Sequence, residues 1–242
     1  MRKHEWAMRR LWISPLFAAI VLPGLGHAPA RRPVSVAEPP WSALVRVQVP
    51  GVSRCTGFLV AADRVVTAAH CLWGQRTQRM VPAESVHVLT GYDHGHYRAH
   101  SVVASFRTGP AYRPRAGAGQ DDDVAVLTLA KPIGTVVLPW ATHIQPGEAA
   151  MLGGYEQDRA ETLLADTDCR LMSGTDGGGG GRPLIAHACA ATRGTSGAPL
   201  LVRGADGGWA VAGVNVAAAI GDVGGLAVPA STVRAMLGAA GG

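Results

Sequence analysis

The run Val65-Val66-Thr67-Ala68-Ala69-His70-Cys71 opens with β-branched residues, as a buried strand does, and stops on a histidine beside a cysteine. Short runs of the same kind recur on both sides at turn-bounded intervals: Ala43–Val49, Phe58–Ala61, Arg64–Thr67, Val86–Thr90, Ser101–Phe106 and Val124–Leu129. They continue with Ala149–Leu152, Thr162–Ala165, Leu200–Val202, Trp209–Val216 and Gly225–Val228. Some alternate apolar and polar residues, and others are continuous. Separated by Gly and Pro, they predict an all-β sandwich or barrel. The one convincing helix is terminal, with Ser231 placed to cap Thr232–Leu237 and Gly238 to end it. No internal repeat of fixed period is evident.

Composition agrees. With 48% apolar and 16% charged residues, the 242-residue chain can build a core, which excludes disorder for most of its length. Aromatics are only 5%, so that core is chiefly Val, Ala and Leu, while Gly (32) and Pro (16) favour short strands over long helices. The net charge is +5, but Arg2, Lys3, Arg9 and Arg10 against Glu5 put +3 of it in the first thirty residues. The small remainder gives nucleic acid no compositional support as a partner.

Residues 1–30 read as a signal peptide: basic MRKHEWAMRR, apolar LWISPLFAAIVLPGLG, then Ala28-Pro29-Ala30, with cleavage after Ala30. The apolar run, roughly 16 residues broken by Pro15 and Pro23, is short for a bilayer that needs about 20. The mature chain is expected to be secreted or periplasmic, free of the membrane and monomeric. Residues 31–40, RRPVSVAEPP, form a Pro-rich lead without strand or helix character, expected to be a poorly ordered arm. Four cysteines in two local pairs, Cys55 with Cys71 and Cys169 with Cys189, read as two disulfides in an exported chain. The C-x-x-C spacing of a zinc site is absent. Gly177–Gly181 reads as a flexible hairpin tip and lacks the Lys-Ser/Thr of a phosphate loop.

Three segments carry chemistry: the histidine run above, the acids Asp121-Asp122-Asp123 leading into Val124–Leu127, and Gly194-Thr195-Ser196-Gly197-Ala198-Pro199. Together they supply a nucleophile, a base and an orienting carboxylate. A serine hydroxyl attacks poorly until a base takes its proton, and imidazole has the pKa range to take it and return it. A buried carboxylate holds that imidazole in the required tautomer. Glycines around Ser196 let the N–H groups of Gly194 and Ser196 point at a developing oxyanion. The chain order is His, acid, Ser. Subtilisin-like enzymes run Asp, His, Ser, and α/β-hydrolases run Ser, acid, His with a G-x-S-x-G elbow whose last position is Ala198 here. Only the chymotrypsin order survives.

The chain resembles the chymotrypsin/trypsin family of serine endopeptidases, closest in character to its bacterial secreted members. Cys55-Thr56-Gly57-Phe58-Leu59-Val60 with Val65–Cys71 is similar to the family's C-x-G-x-L-I … V-V-T-A-A-H-C block, which implies a Cys55–Cys71 bridge beside a catalytic His70. Asp123-Val124-Ala125-Val126-Leu127 resembles D-I-A-L-L and picks Asp123 from the three acids; Gly194–Pro199 resembles G-D-S-G-G-P and makes Ser196 the nucleophile. The resemblance covers about residues 40–238. It implies two antiparallel six-stranded β-barrels, residues 41–134 and 135–242, with the triad between them. Protein or peptide is the substrate it implies. A protease-fold binding protein without catalysis, and an esterase using the same triad, are the alternatives.

The resemblance also places the primary pocket. Its floor falls at Ala190, and Ala191 and Asn215 stand where glutamate-specific relatives carry a hydroxyl and a histidine. With Ala217 and Ala218 this implies an uncharged pocket and cleavage after uncharged residues. In digestive members a freed N-terminal amine pairs with the Asp before the nucleophile. Here that residue is Thr195, and 31–40 lacks an I-V-G-G start, so no inserted N-terminus is expected and hydroxyl bonds of Thr195 should support the turn. His94, His96 and His100 with Asp93 form a loop cluster that offers one carboxylate, too few for a calcium cage, so no metal or other cofactor is expected.

Overall fold

The structure is a computed structural model that describes residues 31–114, 120–174, 182–218 and 223–238. The signal-peptide segment 1–30 and the glycine run 177–181 lie outside the described residues. In chain order the first strands are β1 Arg31–Pro33, β2 Leu44–Val49, β3 Ser53–Ala61, β4 Arg64–Thr67, β5 Trp73–Gly74, β6 Arg79–Met80, β7 His87–Thr90, β8 Ala99–Thr108 and β9 Ala125–Leu129. There follow β10 Ala149–Gly154, β11 Leu164–Arg170, β12 Ile185–Ala190, β13 Pro199–Arg203, β14 Trp209–Ala218, β15 Val223–Pro229 and the helix α1 Ala230–Gly238.

Strands β2-β3-β4-β9-β8-β7 close a six-stranded antiparallel barrel, and β5 and β6 make a small hairpin beside it. Val45, Val47, Phe58, Val66, Val88, Val103 and Leu127 are among its buried residues. The β-branched runs that predicted β2, β4 and β9 are the ones whose side chains have no solvent face to alternate with. The other strands form one seven-stranded sheet in the order β1-β11-β10-β13-β14-β15-β12. It curls until β11 meets β12: Cys169 is bonded to Cys189, Leu171 bridges His187, and the Met172 N–H donates to Ala186 O at 2.8 Å. Small residues line the inside of this curl, among them Ala150, Ala191, Ala198, Ala212 and Ala227, packed on Leu152, Leu200 and the cystine. Val233 of α1 joins the larger core shared by both halves.

The all-β reading holds, but the second expected six-stranded barrel is a curled seven-stranded sheet, and further corrections lie at the edges. Residues 31–40 are not a loose arm. Their first three residues add a seventh strand to the second sheet, in the register Arg31↔Asp166, Arg32↔Ala165, Pro33↔Leu164. Side chains fix that edge: Arg31 ion-pairs with Glu156 and Asp158, and Arg32 donates to Thr167. Pro33 is tolerated because an edge strand can spare an N–H. Strand β12 was not predicted, since Ile185-Ala186-His187-Ala188-Cys189-Ala190 has one β-branched residue and three alanines. The helix begins at Ala230, so Ser231 lies inside its first turn rather than capping it.

Candidate active site

After β4 the chain passes through Ala68 into one 3-10 turn, Ala69–Leu72, which carries His70. Cys55 of β3 is bonded to Cys71 in that turn, as the resemblance implied. A second 3-10 turn, Gln120–Asp122, sets Asp123 just ahead of β9. Asp123 Oδ1 accepts the His70 backbone N–H at 2.8 Å, and Oδ2 lies 2.7 Å from His70 Nδ1. The Ala69 N–H donates to Asp123 O at 3.3 Å. One buried carboxylate therefore fixes both the backbone and the ring of His70, whose side chain stays 36% exposed. Burial first, and the Asp123 charge second, push the nearby Tyr112 phenol upward.

The neighbouring acids are engaged elsewhere. Asp122, fully buried, accepts the Ala111 N–H at 2.7 Å and ion-pairs with Arg182; Asp121 accepts the Arg182 N–H at 2.9 Å.

Ser196 lies in the turn before β13, and that turn is held against the His70 side of the molecule. The Thr56 N–H donates to Ser196 O at 2.9 Å, and Thr56 Oγ1 donates to Gly194 O at 2.8 Å. The Cys71 sulfur lies 4.0 Å from Ser196 O. Gly197 has φ +83°, and a Cβ there would meet Thr56 O and Thr67 Oγ1 at 2.2 Å, so only glycine lets the turn nest so closely. Gly194, at φ +101°, is equally confined: a Cβ would stand 2.3 Å from Tyr155 O. Within the turn the N–H groups of Thr195, Gly197 and Ala198 all donate to carbonyls. Those of Gly194 and Ser196 donate to nothing among the described residues, nor does the Ser196 hydroxyl. Thr195 stands as its hydroxyl suggested: Oγ1 donates to Thr192 O at 2.9 Å and accepts from the Thr192 N–H at 3.2 Å.

The residues expected to form the primary pocket fall on or beside two strands. Ala190 ends β12 and is followed by Ala191, while Asn215, Ala217 and Ala218 lie on β14. Strand β15 runs between them, pairing Ala190↔Val223, Asn215↔Ala227 and Ala218↔Gly225. Sequence reasoning missed His187. It is 1% exposed, packs its ring against Gly225, and its Nε2 lies 3.0 Å from Asn215 Oδ1. Asn215 Nδ2 reaches Thr195 O at 3.3 Å, so a polar chain runs from His187 to the Ser196 turn. Burial, the largest effect, pushes this imidazole below its ordinary range, against upward pulls from Asn215 and Asp166. The alternation around His187 inside an alanine-rich run was the signal that could have found it.

The loop histidines do not converge. His94 Nδ1 lies 3.0 Å from Asp93 Oδ1, His96 bridges Asp93 through the backbone, and His100 Nε2 lies 2.9 Å from His87 Nδ1. Among the described residues the group with metal-ligating spacing is Cys55, His70 and Cys71, and its two sulfurs are already bonded to each other.

The family model described as Trypsin matches residues 30–236. Cathepsin G of Mus musculus is 29% identical over 155 residues, 55% of this chain and 52% of that protein. The vitellin-degrading protease of Bombyx mori is 35% identical over 104 residues, 41% of this chain and 34% of that protein. The chain spans about half the length of these curated relatives, or less. Among solved structures, a Glu endopeptidase in complex with MPD superposes at a TM-score of 0.68 and 19% identity, over 86% of this chain and 95% of that one. Human heparin binding protein does so at 0.66 and 17%, over 86% and 94%. At these identities the likeness is one of fold.

Proposed function

This chain belongs to the trypsin family, and on that premise we propose that it is a secreted serine endopeptidase with His70, Asp123 and Ser196 as its catalytic residues. Ser196 Oγ attacks the scissile carbonyl carbon while His70 Nε2 takes the hydroxyl proton. The tetrahedral adduct collapses, the C–N bond breaks, and His70 returns the proton to the leaving amine. Water then repeats the sequence on the acyl-enzyme and frees Ser196. Asp123 stays ionised and keeps the Nδ1 proton in place, so the lone pair at Nε2 faces the serine. The unengaged N–H groups of Gly194 and Ser196 are the donors for the oxyanion. The serine–imidazole contact closes with substrate, as catalytic hydrogen bonds often do.

The observation that carries this reading is the double grip of Asp123 on His70, with the Ser196 turn bonded to Thr56 alongside. The two barrels divide near Thr135: Gly134 still donates to Ala62 O, and Ala141 already donates to Val211 O. Proteins or peptides are the substrates, the enzyme acts as a monomer, and cleavage follows uncharged residues. Supporting the last point, Ala190, Ala191, Asn215, Ala217 and Ala218 carry no charge, and His187 behind them is favoured neutral.

A fluorophosphonate probe with casein as substrate tests the reading. Labelling at Ser196 with casein cleavage is expected. Labelling without cleavage would make it an esterase, and no labelling would make it a binding protein. A peptide-library profile dominated by Arg, Lys or Glu would overturn the pocket assignment.

A further inference from the structure

One charged group lies beneath the nucleophile turn. Glu156 is 1% exposed, in the segment Tyr155-Glu156-Gln157 on which the turn rests. That segment touches the turn at three points. Tyr155 O and Gln157 N crowd Gly194 from below, the Gln157 N–H donates to Arg193 O at 2.7 Å, and Glu156 Oε2 accepts the Thr192 hydroxyl at 3.3 Å. Thr192 then closes on Thr195 through the two hydroxyl bonds already described. The carboxylate thus sits two hydrogen bonds from the residue that precedes Ser196.

A carboxylate so deeply buried needs a compensating charge, and none of its immediate chain neighbours supplies one. The cation comes from the start of the folded domain: the Arg31 guanidinium contacts Glu156 Oε2, and its other face meets Asp158 at 3.1 and 3.3 Å. Arg31 is held there by the β1–β11 ladder and keeps only 19% of its side chain exposed. Asp158 is 47% exposed and solvated. Burial pushes its carboxyl upward, but hydrogen bonds and charge contacts, chiefly those with Arg31, outweigh that push and hold it below the ordinary range.

We infer that Arg31 is a positioning residue for the reaction. By neutralising Glu156 it holds Thr192–Ser196 in the shape that offers the Gly194 and Ser196 N–H groups to the oxyanion. The inference rests on the endopeptidase reading of the same turn. Arg31 touches no reacting atom, so its loss should appear in the transition state more than in substrate binding.

Arg31→Ala, Glu156→Gln and the double variant are compared with the wild type in kcat, KM, rate of fluorophosphonate labelling and thermal midpoint. Arg31→Ala should lower kcat and the labelling rate by about 10- to 100-fold, with KM changed less than about threefold. The double variant should recover most of that loss, because a neutral amide in place of the Glu156 carboxylate no longer requires a cation and can still accept from Thr192. Rescue of kcat distinguishes positioning from lost edge stability, which a second substitution would not repair. If Arg31→Ala proves unstable, Arg31→Lys is measured instead and should retain a partial rate.

Wild-type labelling with an unchanged Arg31→Ala rate overturns the inference, as does a double variant no faster than Arg31→Ala. If the wild type itself is not labelled, the endopeptidase reading falls. Hydrogen exchange at Thr195 and Gly197 then decides the positioning role: acceleration of about tenfold in Arg31→Ala supports it, and no change overturns it.

Discussion

The two halves of the molecule close themselves by different means. The first barrel is sealed by backbone hydrogen bonds around all six strands, and its disulfide only pins the His70 turn to β3. The second, among the described residues, keeps its seven-stranded sheet open, and β11 meets β12 through the Cys169–Cys189 bond, Asp166 accepting the Ala190 N–H, and a short backbone contact of Leu171 and Met172 with His187 and Ala186. The half that carries His70 and Asp123 is therefore the self-sufficient one. The half that carries the Ser196 turn depends more on polar and covalent fasteners, and β12, which bears one end of several of them, leads into that turn.

The largest effect should ignore that asymmetry. Ser196→Ala in one half, and His70→Ala or Asp123→Asn in the other, should each lower kcat by roughly 10⁴-fold or more, and any pair should be no worse than the worst single. Casein turnover with folding checked by circular dichroism measures this. Asp122→Asn should leave turnover within about tenfold. If Asp122→Asn is instead the damaging change and Asp123→Asn the benign one, the choice among the acids is wrong.

Next come the disulfides. Loops of 16 and 20 residues each imply about 3 kcal/mol in the chain-entropy model. Equal entropy need not mean equal reach. Cys169→Ala with Cys189→Ala should expose the amides of β11 and β12 to hydrogen exchange, whereas Cys55→Ala with Cys71→Ala should leave the first barrel's ladder protected. Equal loss of protection in both halves would erase the contrast.

Gly197→Ala tests the joint between the halves. A Cβ at 2.2 Å from Thr56 O must push the Ser196 turn away from β3, on top of about 1–2 kcal/mol for φ +83°. Turnover should fall more steeply than the thermal midpoint, since the displacement is local to the turn. The smallest effect is one of pH. His187 is held below its unfolded value near 6.5, so the fold favours its neutral form. That contribution is complete above the unfolded value and is lost as pH falls through the lowered one. Thermal midpoints measured downward from pH 7 should decline, and His187→Gln should flatten part of that slope. An unaltered slope would remove His187 from the account.

The contrast between the halves also explains what could be read from the chain. The first barrel was legible because Val65–Thr67 and Val124–Leu129 are buried on both faces and carry β-branched or leucine residues throughout most of their length. The blocks proposed to be catalytic were legible because each is local: His70 with its cysteine, Ser196 with its glycines. The second half hid its parts in distance. Strand β12 is half alanine, and the residues it buries in alternation, Ile185, His187 and Cys189, are a mixed set without the β-branched run that marks β4. His187 acquires its role only where Gly225 leaves room for its ring, and β1 only where Arg31 finds Glu156 and Asp158 far along the chain. The hydroxyl bonds of Thr195 were foreseen, while the Arg31–Glu156 pair beneath the turn was not.

The place of β1 has a consequence for synthesis. Arg31 and Arg32 leave the ribosome near the start of the domain, yet the Thr167 partner of Arg32 follows 135 residues later, and β12, which completes the curl, later still. The opening strand waits unpaired while the whole first barrel emerges and closes. Ser196 itself arrives after both β11 and β12. A nascent chain that stops before Ser196 therefore carries His70 and Asp123 without the serine proposed to act with them.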